Sequence, residues 1–84
     1  MPLTVRYFAS LREALGPHET VAFDTAAPTV GDLRDALVAR GGRHAEALAR
    51  GRAVRCAVDQ QLADDATTLR DGAEVAFFPP VTGG

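Results

Sequence analysis

Only one segment of this chain carries a helical period long enough to form a full helix, and everything else must be arranged around it. Thr29 can cap a helix with its hydroxyl, while Asp32 stands where the reciprocal carboxylate of a capping box belongs. Val30, Leu33, Ala36 and Leu37 then recur at helical spacing, which gathers them on one face, and Gly41-Gly42 offers a left-handed stop. The other apolar segments are shorter and follow a different period. Leu3, Val5 and Tyr7 alternate with Thr4, Arg6 and Phe8, the signature of a half-buried strand that puts Phe8 on its outer face. Val54, Cys56 and Val58 alternate with Arg55 and Ala57 in the same way.

Shorter signals fill the gaps. "SLREALG" reads as one or two helical turns ended by Gly16-Pro17, and "ETVAFD" as a strand that returns beside the first. "HAEALARG" predicts a short, poorly capped turn of helix. Asp59-Gln60 turns the chain into a short edge strand over 61–63, and Asp71-Gly72 turns it into the last strand, where Val75 and Phe77 face inward. The expected fold class is α+β, a mixed sheet covered by one main helix, because each apolar face must find another to cover it.

Size and charge limit what such a layer can do. A chain of 84 residues makes one domain, and a domain so small buries only about 60–65% of its unfolded surface, leaving no room for a deep private active site. A net charge of −2 argues against nucleic acid as a partner, since tracking phosphates takes clustered positive charge. No stretch approaches the roughly 20 apolar residues of a membrane span, and the first residues lack the pattern of a signal peptide. With a single cysteine there is no intrachain disulfide, so a cytoplasmic protein with no membrane partner is expected. All 9 basic residues are arginine, so no side-chain amine is present for an activated acyl group to modify.

Strand parity makes the outer face informative. With Val75 and Phe77 inward, Ala76 and Phe78 point out, as Phe8 does on the first strand. If the first and last strands are neighbours, Phe8 and Phe78 form one exposed apolar patch that Leu62 extends. Burying two Phe and one Leu is worth roughly 5–9 kcal/mol gross, whereas micromolar binding needs about 8 kcal/mol net of association costs. The patch alone would bind weakly, and the closing residues must add to it. Pro79 and Pro80 cannot donate to a sheet ladder, so they end the last strand and launch the chain in an extended form. From Pro79 to Gly84 the chain can reach about 20 Å. Such an arm would enter a partner's cavity, with a niche for Val81 and main-chain hydrogen bonds along the residues after the prolines, Thr82 among them. Gly83 and Gly84 lack β-carbons, so they fit a channel no other residue could thread and leave a terminal carboxylate sterically open.

These residues reach a known family. "DGAEVAFFPPVTGG", with "VRYFASLREALG" near the start and "VDQQLAD" in the middle, is similar to the small subunits of molybdopterin synthase, the MoaD family, over essentially the whole chain. "FFPPVTGG" is the most specific part. The resemblance implies a ubiquitin-like β-grasp fold, with residues 1–78 as the folded domain and 79–84 as a flexible tail carrying the reactive Gly-Gly. It also implies a sulfur carrier. An ATP-using activating enzyme of the MoeB type would adenylate the carboxylate of Gly84, and a sulfur donor would replace AMP, leaving a thiocarboxylate (1-thioglycine) at Gly84 beside Gly83. The tail, Pro79, Pro80, Val81 and Thr82 included, would insert into the large subunit, MoaE. There the sulfur would pass to cyclic pyranopterin monophosphate in molybdenum cofactor biosynthesis. Catalytic residues would belong to the large subunit, so this chain is expected to be a non-catalytic carrier that binds no cofactor itself. Phe8, Leu62 and Phe78 match apolar contacts to the large subunit, and the usual assembly is a heterotetramer of two small and two large subunits. Tyr7 stands where Phe is frequent in the family, and Asp59 where Asn is frequent.

Other chemistry-bearing residues point elsewhere. Cys56 shares the inward parity of Val54 and Val58 and reads as core. His18 and His44 sit beside turns, read as solvated, and suggest no metal motif. Asp64-Asp65 is an adjacent pair that favours no acid–base geometry. Two further readings share the Gly-Gly terminus: a carrier serving thiamine, cysteine or tRNA thiolation, against which "FFPP" speaks, and a ubiquitin-like modifier that ends in isopeptide bonds. A purely structural interaction domain would lose nothing if Gly83-Gly84 were deleted.

Overall fold

The structure, a computed structural model, describes residues 2–80. Its elements are β1 (Pro2–Tyr7), α1 (Ala9–Leu15), β2 (His18–Ala22), α2 (Val30–Val38), α3 (Gly42–Leu48), β3 (Arg55–Val58), β4 (Gln61–Ala63) and β5 (Glu74–Phe78). The strands form one five-stranded sheet in the order β2-β1-β5-β3-β4. β1 runs antiparallel to β2, with Val5 opposite Glu19, and parallel to β5, with Val5 opposite Val75. β3 is antiparallel to both β5 and β4. The sheet is therefore mixed, and its first and last strands are the central neighbours that the parity reading required.

Alternation decides which face is covered. Leu3, Val5, Tyr7, Val75 and Phe77 are at most 1% exposed and meet Leu11 of α1, Val30, Leu33 and Leu37 of α2 and Leu48 of α3 in a single core. Each such side chain is worth roughly 1.5–3 kcal/mol of burial. Tyr7 stacks on Phe77 with ring centroids 6.4 Å apart, which joins β1 to β5 on the helix side.

The α2 helix begins as its sequence predicts. Asp32 N–H donates to Thr29 Oγ1 at 3.1 Å, and Thr29 N–H donates to Asp32 Oδ2 at 2.9 Å, closing the capping box. Its far end differs. The helix stops at Val38, and Gly41, with φ 75°, is the N-cap of α3. The glycine pair is thus a corner between two helices, made with left-handed backbone that favours glycine. The inward face differs too: Ala36 is exposed, and Arg34 is buried at 6% exposure. The cause lies in α3, a helix of 7 residues with no side-chain cap at its N-terminus. Arg34 reaches from α2 to close its other end, donating Nε–H to Leu48 O at 2.6 Å and Nη2–H to Ala49 O at 2.8 Å and Arg52 O at 3.1 Å. Helix carbonyls left open in this way need an external donor, and a planar guanidinium supplies several from one position.

The β3–β4 hairpin turns on Asp59 and Gln60, both at positive φ (48° and 70°), as a two-residue hairpin requires. Asp59 also ties that hairpin to β5. Its N–H donates to Glu74 O at 2.8 Å, and its Oδ1 accepts from Glu74 N–H at 3.0 Å. A short polar side chain that tolerates left-handed backbone explains aspartate here.

Candidate functional site

The face of the sheet turned away from the helices carries the candidate site. Arg6, Ala76, Ala57 and Leu62 are successive ladder partners across β1, β5, β3 and β4, so they form one row on that face. In the next row Phe78 lies opposite Arg55. Phe8 follows β1 as the N-cap of α1, one register step beyond the Tyr7–Phe77 pair and hence level with Phe78. Its backbone is held on both sides: Phe8 N–H donates to Phe77 O at 3.1 Å, and Phe8 O accepts from Leu11 N–H at 3.1 Å and Arg12 N–H at 3.3 Å. The next residue, Ala9, takes φ 52°, an uncommon conformation for a residue with a β-carbon. The turn that presents Phe8 is therefore a fixed and mildly strained one.

The three apolar residues differ in exposure. Leu62 is 76% exposed and Phe8 43%. Phe78, expected to be as open as Phe8, is only partly exposed, as are Pro79 and Pro80. The difference follows from position: Phe78 lies within β5, which has a neighbour on each side, whereas Phe8 lies just past the end of β1 and Leu62 stands on the edge strand β4. Phe8 and Phe78 sit at the end of the face where β5 stops, and Leu62 lies two strands from Phe78 across β3. Val81, Thr82, Gly83 and Gly84 lie outside the described residues.

A polar cluster on the opposite, helix-covered side was not anticipated. Glu19 Oε2 accepts from Tyr7 Oη–H at 2.7 Å and lies 2.9 Å from His44 Nε2, and Glu19 Oε1 takes a guanidinium hydrogen bond from Arg40. His44, read from sequence as solvated, is instead drawn to Glu19 and meets the Tyr7 ring edge-on at 6.4 Å. Burial pushes the Glu19 carboxyl up, but hydrogen bonds from His44, Tyr7 and Arg40 and the Arg40 charge outweigh it and hold it at about 2. Burial, then the Glu19 hydrogen bond and charge, pushes the Tyr7 phenol far above its ordinary range. One sequence signal was available. Glu19 shares the inward parity of Val21 on β2, and an inward carboxylate must find partners.

The remaining candidates are structural or solvated. Arg50 spans Asp35, with Nε to Oδ1 at 2.9 Å and Nη2 to Oδ2 at 3.0 Å, and Asp65, with Nη1 to Oδ2 at 2.6 Å. The Asp64-Asp65 pair is therefore divided. Asp65 takes Arg50, while Asp64 Oδ1 accepts from Ala66 N–H at 3.0 Å and Thr67 Oγ1–H at 3.3 Å. Cys56 is buried, and its thiol donates to Ala63 O at 3.4 Å. Burial, then Asp65 and Asp64, pushes that thiol up, away from the thiolate a nucleophile needs. His18 is exposed on β2. Among the described residues no group of His, Cys, Asp and Glu could hold a metal ion, and no helix is long and apolar enough to cross a membrane.

Known proteins share both this sequence and this shape. The chain is 47% identical over 83 residues to the molybdopterin synthase sulfur carrier subunit of Escherichia coli, covering 98% of this chain and 99% of that protein. It is 39% identical over 84 residues to the protein of that name from Mycobacterium tuberculosis, covering 98% and 96%. Among solved structures, SAMP1 from Haloferax volcanii superposes with a TM-score of 0.79 at 29% identity over 100% of both chains. A chain of the complex of subunits 1 and 2 of molybdopterin-converting factor from Helicobacter pylori gives 0.69 at 26% identity, again over 100% of both. The fold is the ubiquitin-like β-grasp. The sequence pattern of the ThiS family matches residues 5–84, and with relatives this similar over nearly its whole length the chain belongs to the ThiS family.

Proposed function

We propose that this chain is the sulfur carrier subunit of a molybdopterin synthase. The observation that carries the reading is the near-complete match, at 47% identity, to a protein bearing that name. The outer face supports it physically. β5 ends at Phe78, level with Phe8, so the chain beyond it leaves from an apolar patch that a partner would cover. A complex of the two subunits of molybdopterin-converting factor among the structural relatives supports a large subunit of the MoaE kind as that partner.

On this reading the carboxylate of Gly84 is the working group. A carboxylate resists nucleophilic attack, so an activating enzyme of the MoeB type first joins it to AMP from ATP, releasing pyrophosphate. Sulfur from a donor then displaces AMP and leaves a thiocarboxylate. Gly83 and Gly84 allow the terminus to thread a narrow channel, and Phe8, Leu62, Phe78 and the Pro79–Pro80 launch hold the body against the large subunit while the sulfur is delivered to cyclic pyranopterin monophosphate. Two carriers would sit on a dimer of large subunits. The folded body supplies position; the acid–base groups of the transfer belong to the partner.

The test is the intact mass of the chain after activating enzyme, ATP and a sulfur donor, and again after large subunit and pterin precursor. The expected result is exchange of one oxygen for sulfur, reversed only in the second step. Sulfur that loads but never discharges would assign the carrier to another pathway such as thiamine or tRNA thiolation. Lysine-linked adducts on other proteins would assign a modifier, and a Gly83-Gly84 deletion that still transferred sulfur would end the proposal.

A further inference from the structure

The patch cannot be covered without covering one particular charge. Arg55 is exposed, faces outward by its parity with buried Cys56, and is the ladder partner of Phe78. A partner seated on Phe78 and Leu62 must pass over it, since β3 lies between their strands. The other arginine of this face, Arg6, already has a counter-ion in Glu74, 3.6 Å away. Arg55 has none among the described residues. The acids nearest it in register are engaged: Asp64 bonds Ala66 and Thr67, and Asp65 bonds Arg50. A guanidinium buried without a partner is a heavy penalty, and a carboxylate that meets it with two parallel hydrogen bonds offsets that penalty while fixing orientation.

We propose that the partner subunit covering this face presents an aspartate or glutamate carboxylate to Arg55, and that this pair sets the register in which the carrier docks. The inference rests on the sulfur-carrier reading for the partner's identity and on the sheet geometry for the charge. Arg55 acts here as a specificity contact. Apolar contact at Phe8, Phe78 and Leu62 is non-directional and tolerates sliding, whereas a paired charge placed beside it does not. A large subunit lacking the matching carboxylate would leave Arg55 buried and unpaired, so the same residue rejects mismatched partners.

The experiment measures binding of purified large subunit from the same organism to the full-length chain and to R55Q, R55E and R70E, at low and at moderate salt. Arg70 is exposed and precedes β5, at the end of that strand remote from Phe78. We expect R55Q to weaken binding about tenfold, R55E about a hundredfold and R70E less than about twofold, with the R55Q affinity responding less to salt than the native one. Thermal unfolding should be unchanged in all three. A second variant gives a positive signal. The sequence contains no lysine, so R55K introduces its sole side-chain amine, and a carbodiimide should link position 55 to an acidic residue of the bound partner that peptide mapping can identify. Native affinity in both R55Q and R55E, or a complex of R55K that yields no such link, would overturn the pairing while leaving the carrier reading intact. If the large subunit binds not even the native chain, the carrier reading falls and the pairing with it.

Discussion

The two faces of the sheet use the same strands to opposite ends. On the helix side every polar intruder is answered from within: Glu19 by Tyr7, His44 and Arg40, and the open end of α3 by Arg34. On the outer side Phe8 and Leu62 are exposed and Arg55 has no counter-ion among the described residues. The inner face is a finished interior, and the outer one, on the function proposed above, is left for a partner to cover. Adjacent residues on one strand should therefore answer different questions when changed, stability at odd positions of β5 and association at even ones.

The sharpest test of that division is Phe77 against Phe78. Phe77 is 1% exposed and stacked on Tyr7, so Phe77→Ala should cost about 3–5 kcal/mol of unfolding free energy by urea titration. Phe78→Arg should cost far less in the same titration, yet weaken assembly with the large subunit by tenfold or more. Comparable losses of stability from the two would erase the distinction between the faces. A step down in size is Arg34→Met, which keeps the buried stem but removes the guanidinium donor to the carbonyls of Leu48, Ala49 and Arg52, leaving Ala49 O only its bond from Arg52 N–H. A loss of about 2–3 kcal/mol is expected, with exchange of amide hydrogens in α3 accelerated before that in α2. Uniform acceleration would mean that α3 depends on the core at large and not on that guanidinium.

Much of this division was legible in the sequence, and the illegible part has a physical pattern. Period-two alternation placed the strands and their inward residues, and the Thr29–Asp32 capping box located the start of α2, because backbone geometry fixes those signals locally. The paired turn residues Asp59 and Gln60 marked the β3–β4 hairpin for the same reason. What escaped were long-range polar satisfactions. Arg34 and His44 look like surface residues in any local window, and only the packing of α3 against α2 and the reach of His44 to Glu19 on β2 give them their acceptors. The partial cover of Phe78 escaped likewise, since parity gives the face a side chain points to and not what lies beside it. As for the site, Phe8 and Leu62 were readable as exposed apolar residues. The charge beside them carried no local mark, and its lack of a counter-ion emerged only once its neighbours' partners were known.

Acidification probes the closed side more gently. The Glu19 carboxyl is held at about 2, below the value of about 4.3 for an unfolded glutamate. A carboxyl depressed by folding contributes stability that is fully present above the unfolded value and is lost as pH falls through the folded one. Its contribution should therefore fade between about pH 4.5 and pH 2 and be constant above that window. Glu19→Gln should lose about 1 kcal/mol near neutral pH after allowance for solvent screening, and its stability should fall less steeply than that of the native chain across the window. Parallel curves would show that the cluster is not coupled to folding.

The smallest expected effect on stability is on the open side, and it is the more telling for being small. Leu62 is 76% exposed on a three-residue edge strand whose outer side has no neighbour among the described residues. A leucine so placed has almost no burial to lose, and its backbone pairing with Ala57 does not depend on the side chain. Leu62→Gln should therefore shift unfolding free energy by no more than about 0.5 kcal/mol. Solubility at high concentration should rise, because an apolar residue on an exposed edge promotes unwanted association. Binding to the large subunit should weaken by several-fold, less than for Phe78→Arg, since Leu62 lies at the margin of the face and the phenylalanines at its end. If Leu62→Gln instead destabilised the isolated chain by a full kcal/mol or more, the leucine would be serving the fold. The outer face would then be, at that edge, part of the interior already and not a surface kept open for a partner.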